Sequence, residues 1–320
     1  MTYKKTTSKQ HLRSSLIGGA LVLSIGLGGL STPSEASPIT SRSASHINSE
    51  YINLETGKIE YKLPGISTRY LWKLPQKTIH VGGKQLSENA VTMNGTLYLP
   101  LRAFASAVSD AKVSYNSSTK TATLQMNGLY LTATDGGFVT YANDRPLFAF
   151  SPNVLMSNGK MYVPASTLTK ALGVTVSVNG SAVSVSGKYS PLLHASKFYR
   201  EDEVYWLSKI INAESRGESL IGQIAVGDVI MNRVYSNQYP NTIYGVIFDR
   251  KYGVQFSPIL DGSIYKEPSF NSTLAAKICL EGTSLSDNAL FFLNPREAQS
   301  NWIVKNREYA YTIGGHDFYL

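Results

Sequence analysis

The chain of 320 residues holds one cysteine, Cys279. One thiol closes no internal disulfide, so a disulfide-stapled scaffold is excluded. Charge is also scarce: Asp, Glu, Lys and Arg make up 16% of the residues, against 42% hydrophobic. That balance can bury a core and excludes a disordered, solvating chain. No basic run carries interleaved aromatics, so nucleic acid is not an expected partner. No H-E-x-x-H or C-x-x-C occurs, and the histidines are scattered, so neither a metal nor another cofactor is expected. Cys279 sits in the apolar helical pattern "LAAKICLEG", where a small buried thiol is ordinary.

Long apolar runs are missing too, except at the start. "MTYKKTTSKQHLR" carries Lys4, Lys5, Lys9 and Arg13, and an uncharged run from Leu16 to Leu30 follows. Ser34-Glu35-Ala36 then offers a small-x-small site. This order of basic, apolar and small residues predicts a secretory signal peptide over 1–36, and the run is short of the roughly twenty residues a spanning helix needs. An uncleaved anchor is the alternative. Without residues 1–36 the formal charge falls from +8 to +5. Mild basicity of that kind suits an anionic wall as well as general solubility. The expected location is secreted.

The Ser-rich, aperiodic residues 37–69 read as a linker. From about residue 70 to 187 the pattern becomes short alternating runs. "KTIHVGGKQL" predicts strand, Gly-Gly turn, strand. "NGTLYLPLRAFASAVSDAKVSYN" from Asn94 is echoed by "NGKMYVPASTLTKALGVTVSVNG" from Asn158. Each copy has Asn-Gly, an aromatic two residues before a proline (Tyr98 and Pro100; Tyr162 and Pro164), an apolar helix and an alternating strand. A period of about 64 residues predicts two like β-rich modules, or one pseudo-symmetric module. The Asn-Gly pairs fit hairpin turns that need positive φ. Asn94, Gly95, Tyr98, Pro100, Leu101, Arg102 and Ala103, with Val113 and Tyr115, give this region its resemblance to the module named after the N-terminal domain of copper amine oxidases. The second copy has Ala165 and Ser166 where the first has Leu101 and Arg102. The resemblance implies a role in binding the wall or wall- and spore-associated proteins, or a spacer, and no copper.

Residues 188–202 have no clean period and read as a second linker. The chain then changes class over 203–320. In "EVYWLSKIINAES", Val204, Leu207, Ile210 and Ile211 form an apolar stripe, and Glu214 falls on the same face. A carboxylate there is costly while ionised, and desolvation raises its pKa, as a general acid near neutral pH requires. Glu218 is four residues on. Gly217 predicts the end of the helix, which places Glu218 at the start of the next, where free N–H groups favour a negative side chain. The second helix, "SLIGQIAVGDVIMNRV", has Gly222, Ala225 and Gly227 for close approach, Asp228 as a possible second carboxylate, and Asn232 and Arg233 where it could cap or line a cleft.

Seven ordered motifs then carry a second resemblance: "NAESRGES", "GQIAVGDVIMNRV", "YPNTIYGVIF", "QFSPILDG", "AAKICLEG", "ALFFLNP" and "IGGHDFY". Together they resemble the cell-wall hydrolase family of SleB and CwlJ, the spore-cortex-lytic enzymes. The departures are small: "NAES" stands where His-Ala-Glu-Ala is common, and "FFLN" where an aromatic often precedes the Asn. The resemblance implies a multidomain chain: the repeat module in two copies, then a mainly helical, lysozyme-like α+β catalytic domain. It also implies a lytic transglycosylase acting on peptidoglycan glycan strands, with Glu214 as sole acid/base. That would account for the lack of a second buried carboxylate, which ordinary glycosidases use. Gln255, Phe256 and Ser257, together with Asn294 and His316, are the expected substrate contacts. Glu218, Asn232 and Arg233 are possible supporting residues. Two alternatives stand: a non-catalytic wall-binding or spore structural protein, and lysozyme-like hydrolysis by water.

Overall fold

A computed structural model of the chain describes residue 71 and residues 73–320, except 94, 150–153, 252, 286, 287 and 299. The expected signal peptide, the linker over 37–69 and Asn94 lie outside the described residues. The described residues divide into two compact units, the first ending at Phe198 and the second beginning at Tyr199.

The first unit is β-rich. Strand β1 (Gln76–Val81) turns through Gly82 and Gly83 into β2 (Lys84–Gln85). The hairpin of β3 (Ala90–Met93) and β4 (Thr96–Pro100) runs straight into helix α1 (Leu101–Val108). A five-stranded antiparallel meander follows, from β5 (Lys112–Asn116) through β6 (Thr121–Met126), β7 (Leu129–Thr134) and β8 (Val139–Ala142) to β9 (Arg145–Phe148). Then β10 (Leu155–Ser157), β11 (Lys160–Pro164) and α2 (Ala165–Leu172) give hairpin and helix again, and β12 (Thr175–Asn179) pairs with β13 (Ala182–Ser186). Asn158 and Gly159, between β10 and β11, both take positive φ, the backbone that an Asn-Gly hairpin turn requires.

The aromatic-x-Pro motifs now have a physical reason. Pro100 and Pro164 each end a strand and sit at the cap of the helix that follows, where a missing N–H costs little. Strands β4 and β11 lie side by side, antiparallel, with Tyr98 opposite Pro164, Leu99 opposite Val163 and Pro100 opposite Tyr162. Their inward side chains, with Phe104 of α1 and Leu168 and Leu172 of α2, are fully buried in one core. Arg102, absent from the second motif, reaches the carbonyl of Val113 at 3.4 Å. Residues 189–198 pack on this unit. The Tyr189 hydroxyl donates to the Asn127 carbonyl at 2.8 Å and the Asn143 side-chain amide to the Leu192 carbonyl at 2.7 Å, ahead of the short helix α3 (Ala195–Phe198).

The second unit is mainly helical. Helix α4 (Glu201–Ser215) packs on α5 (Leu220–Tyr235) and on α8 (Phe270–Leu280). Between these lie α6 (Ile243–Ile247) and α7 (Pro258–Asp261), with a 3₁₀ turn at Ser263–Tyr265. The C-terminal part is a three-stranded antiparallel sheet, β14 (Phe291–Leu293), β15 (Tyr309–Ile313) and β16 (His316–Tyr319), with β16 in the centre and α9 (Trp302–Asn306) before β15.

The stripe on α4 is buried as its spacing predicts: Leu207, Ile210 and Ile211 are fully covered. Helix α5 is buried nearly all round, which fits its apolar sequence. At Gly227 an added Cβ would lie 2.6 Å from Cys279 Sγ and 2.8 Å from Ile211 Cδ1. Hydrogen is all that fits where α5 crosses α4 and α8. Lys209, on α4, is 1% exposed, and its ammonium donates to the Tyr265 and Lys266 carbonyls and pairs with Glu267. A buried Lys needs such partners, and these ones fasten the turn after α7 to α4.

Candidate active site

Glu214 lies on the last turn of α4, one residue before its C-terminal Ser215. It is half-buried. Burial pushes its carboxyl from the ordinary 4.5 up to about 7; the charge of Asp261 adds to the rise and the charge of Arg233 opposes it. At neutral pH the group therefore holds and releases a proton with similar ease, as general acid–base work requires.

Asp261 was not expected at this place. It closes α7, which packs against α4, and its side chain is fully exposed. A hydrogen bond from Ser263 holds its carboxyl below the usual carboxylate range, so it stays charged. No local pattern links Asp261 to Glu214. The helix crossing does.

Glu218 differs from its expected place. Helix α5 begins at Leu220 with Ser219 as its cap, whose hydroxyl accepts from the Gly222 N–H at 3.2 Å. Glu218 thus precedes the helix and serves another element. Its carboxylate accepts from the Gly315 N–H at 3.1 Å and lies 3.6 Å from Nδ1 of His316. A Cβ on Gly314 would fall within 1.9 Å of the Glu218 carboxylate, so the Gly-Gly turn is shaped around this side chain. Glu218 fastens the β15–β16 turn to the loop between α4 and α5. We predict that Glu218→Gln, which still accepts from Gly315, keeps activity within about tenfold, whereas Glu218→Ala loses ~1–2 kcal/mol of stability with the charged hydrogen bond. Thermal melts beside turnover assays separate the two.

A buried polar chain holds that loop. Asn212 Oδ1 accepts from the Ser269 N–H, the Ser272 hydroxyl donates to Gln223 Oε1 at 2.8 Å, and Gln223 Nε2 donates to the Glu218 carbonyl. Asn212 thereby holds Ser269, the residue that caps α8 by accepting from the Ser272 N–H at 3.1 Å.

The other expected residues fall into two groups. His316, 5% exposed, packs edge-on against Phe292 at 5.6 Å. Burial lowers its pKa against the pull of Glu218, Glu297 and Asp317. Phe292 also faces Phe256 at 6.4 Å. Asn294 starts a turn, its Oδ1 accepting from the Arg296 N–H, while its amide nitrogen lies toward Gly315. His316, Asn294 and Glu218 thus form one cluster around the Gly314-Gly315 turn. Phe256 is 3% exposed and lies 5.3 Å from the Arg233 guanidinium, so its ring is spent on the interior and offers no open face to a sugar. Gln255 donates to the nearby Gly253 carbonyl, and exposed Ser257 heads α7. Asn232 and Arg233 reach from α5 to the start of the sheet, donating to the Ala289 carbonyl at 3.0 Å and to the Leu290 carbonyl at 2.7 Å.

Two remaining groups are structural. Asp228 is buried and accepts from the Leu285 N–H. Cys279 is buried, and burial raises its thiol well above the ordinary value, so it is a poor nucleophile.

Residues 217–319 match the family model described as Cell Wall Hydrolase, and residues 80–186 match the Copper amine oxidase N-terminal domain. The spore cortex-lytic enzyme of Bacillus cereus is 31% identical over 208 residues, covering 61% of this chain and 79% of that protein. That of Bacillus subtilis is 34% identical over 120 residues, 38% of each chain. Among solved structures, the catalytic domain of the germination-specific lytic transglycosylase SleB from Bacillus anthracis is 37% identical, covering 38% of this chain and 97% of that one, with a TM-score of 0.35.

Proposed function

Since this chain belongs to the family of the spore cortex-lytic enzymes, we propose that it is an exported enzyme that cuts the glycan strand of peptidoglycan as a lytic transglycosylase, with Glu214 as its single acid/base. The observation that carries this reading is the half-buried carboxyl at the end of α4, held near neutral pKa by burial. In the protonated form Glu214 donates to the glycosidic oxygen between N-acetylmuramic acid and N-acetylglucosamine. The carboxylate so formed then takes the proton of the muramic 6-hydroxyl as that oxygen closes on the anomeric carbon, giving an anhydro end. The second unit is the lysozyme-like catalytic domain over 203–320. Gln255, Ser257, Asn294 and His316 are its substrate contacts, and Phe256 supports them from beneath. The first unit, over 70–187, is a pseudo-symmetric pair of like modules, a reading supported by the pairing of β4 with β11. It holds the enzyme on the wall or on spore proteins, with 1–36 as the export signal and 37–69 as a connector; the second expected linker, 188–202, is instead mostly built into the two units, since 189–198 pack on the first and 201–202 begin α4.

Asp261 favours a second reading. A charged carboxylate near a protonated one is the arrangement that glycosidases using water or an enzyme nucleophile employ. Product mass decides between them: transglycosylation leaves an end one water lighter than hydrolysis does. On the transglycosylase reading, digests of purified peptidoglycan contain the lighter end and Asp261→Asn still forms it.

The pH dependence follows from the same group. An acid must be protonated to act, so kcat/KM falls as pH rises through about 7, the pKa of the Glu214 carboxyl. Turbidity loss of peptidoglycan measured between pH 5 and 9 should show this alkaline limb, and Glu214→Asp should move it.

A further inference from the structure

His316 turns one ring nitrogen inward, toward Glu218. The side chain is 5% exposed, and Nδ1 is buried with no hydrogen-bond partner among the described residues. Phe292 stands edge-on to the imidazole at 5.6 Å and Phe318 lies at 6.4 Å, so apolar rings fix its plane and offer Nδ1 nothing. The polar group that faces Nδ1 is the Glu218 carboxylate, whose Oε1 lies 3.6 Å away. That is just beyond a hydrogen bond. The other oxygen, Oε2, is committed to the Gly315 N–H at 3.1 Å. Oε1 is therefore the oxygen left to meet the imidazole.

Tying down the β15–β16 turn does not require this nitrogen, because the Gly315 N–H already makes that tie. An unmatched polar atom in the interior costs free energy, and an apolar ring beside Phe292 and Phe318 would avoid the cost. An imidazole with a carboxylate at Nδ1 offers something else. Its proton is drawn to Nδ1, and Nε2, on the far side of the ring, keeps a lone pair and becomes an acceptor. Nδ1 is closed to solvent, so a ligand that bonds to a nitrogen of this ring meets it at Nε2. The Asn294 amide nitrogen, which lies toward Gly315, adds a donor at the same turn. A sugar hydroxyl donates and accepts at once, and so matches an acceptor beside a donor.

We propose that Glu218 and His316 work as a carboxylate–imidazole pair: Glu218 is a positioning residue that fixes the proton of His316 on Nδ1, and His316 presents Nε2 as the acceptor for a hydroxyl of the glycan. This deepens the reading of His316 as a substrate contact and rests on it. The 3.6 Å gap closes to a hydrogen bond when the glycan fills the site, as such contacts tighten in a complex. The pair breaks no bond. It binds and orients the strand while Glu214 carries the chemistry. Burial lowers the His316 pKa against the pull of Glu218, Glu297 and Asp317, so at pH 8 the ring is neutral and holds its one proton on one nitrogen or the other.

The test takes two measurements on the full chain. The first is the tautomer of His316, from long-range proton–nitrogen NMR spectra of the protein with isotope-labelled histidine at pH 8. Wild type should carry the proton on Nδ1. In Glu218→Gln the Gly315 N–H keeps the amide oxygen, which turns the amide NH2 toward Nδ1, so the proton should move to Nε2. The second is kcat and KM on purified peptidoglycan, with a thermal melt of each variant. Glu218→Gln should raise KM about threefold to tenfold with kcat within about threefold, the loss of one hydrogen bond to the substrate. His316→Phe, which keeps the packing on Phe292, should raise KM about tenfold, and adding Glu218→Gln to it should raise KM no further, because Glu218 acts through His316. A wild-type proton on Nε2 overturns the proposal. So does a folded Glu218→Gln with an unmoved tautomer or KM, and so do KM effects that multiply in the double variant, which would reduce Glu218 to a tie for the turn. If Glu218→Gln does not fold, the wild-type tautomer and His316→Phe decide together. Failure of the underlying reading looks different: His316→Phe would then leave KM unmoved even with the proton of wild type on Nδ1.

Discussion

Glu214→Gln removes glycan cleavage and at the same time makes the second unit more stable above neutral pH. The loss of activity is about 10²–10⁴-fold, the share of a rate that a positioned acid/base supplies. The gain in stability has the opposite sign because the same burial drives both effects. In the fold the Glu214 carboxyl titrates at about 7, against an ordinary 4.5. The folded state therefore holds this proton more tightly than the unfolded chain does. Below about 4.5 the group is neutral in both states and its burial carries no electrostatic penalty; above about 7 it is charged in both, and the full penalty is present. With solvent screening allowed for, that penalty is about 2–3 kcal/mol. A neutral glutamine avoids it. Melts at pH 5 and pH 8 should show a stabilisation of the variant at pH 8 that shrinks at pH 5. A variant that stayed active, or was destabilised at both pH values, would mean that Glu214 is not a buried acid in this sense.

The second large effect lies in the first unit, at Gly173. This residue ends α2 with φ of +67°, in the left-handed region. A Cβ there would lie 2.0 Å from the Ser190 carbonyl oxygen and 2.8 Å from its carbon. Both are backbone atoms and cannot rotate away. They belong to the segment whose Ser190 and Leu192 N–H groups donate to the last carbonyls of α2, Leu172 and Ala171. Gly173→Ala must strain its own backbone and push the 189–192 segment off the helix end, at a total of roughly 2–5 kcal/mol. Gly180→Ala is the control, because Gly180 also has positive φ (+57°) but nothing within 4 Å of the new carbon, so only the strain of about 1–2 kcal/mol remains. Hydrogen exchange reads the difference: the Ser190 and Leu192 amides lose protection in Gly173→Ala and keep it in Gly180→Ala.

These two residues also mark how far the sequence reaches. Periodicity placed Glu214 on the buried face of a helix, because Leu207, Ile210 and Ile211 lie on one side of a 3.6-residue turn and Glu214 continues that side. The Asn158-Gly159 turn and the strand–helix order around Tyr98–Pro100 and Tyr162–Pro164 followed from local backbone chemistry in the same way. Each of those inferences needs only residues within a few positions of one another. The reading of 188–202 as aperiodic was likewise local, but what those residues pack against depends on the end of α2 and on the Asn143 turn, which no window of sequence joins.

The charge–charge contacts of the site belong to the tertiary structure. Glu218 and Gly315 are 97 positions apart, and their hydrogen bond draws Glu218 away from the helix start that its spacing suggested. Phe256, an attractive sugar platform in a loop motif, is covered once Arg233 and Phe292 close over it. Asp261 and Arg233 bear on Glu214 only because α7 and α5 both pack against α4. The sequence by itself determined which carboxyl would be desolvated, since burial of a helix face is written in its period. Burial carries most of the rise to about 7; the charges of Asp261, which adds to it, and Arg233, which opposes it, were decided by the packing of distant helices, because Coulomb interactions depend on separation in space and not along the chain.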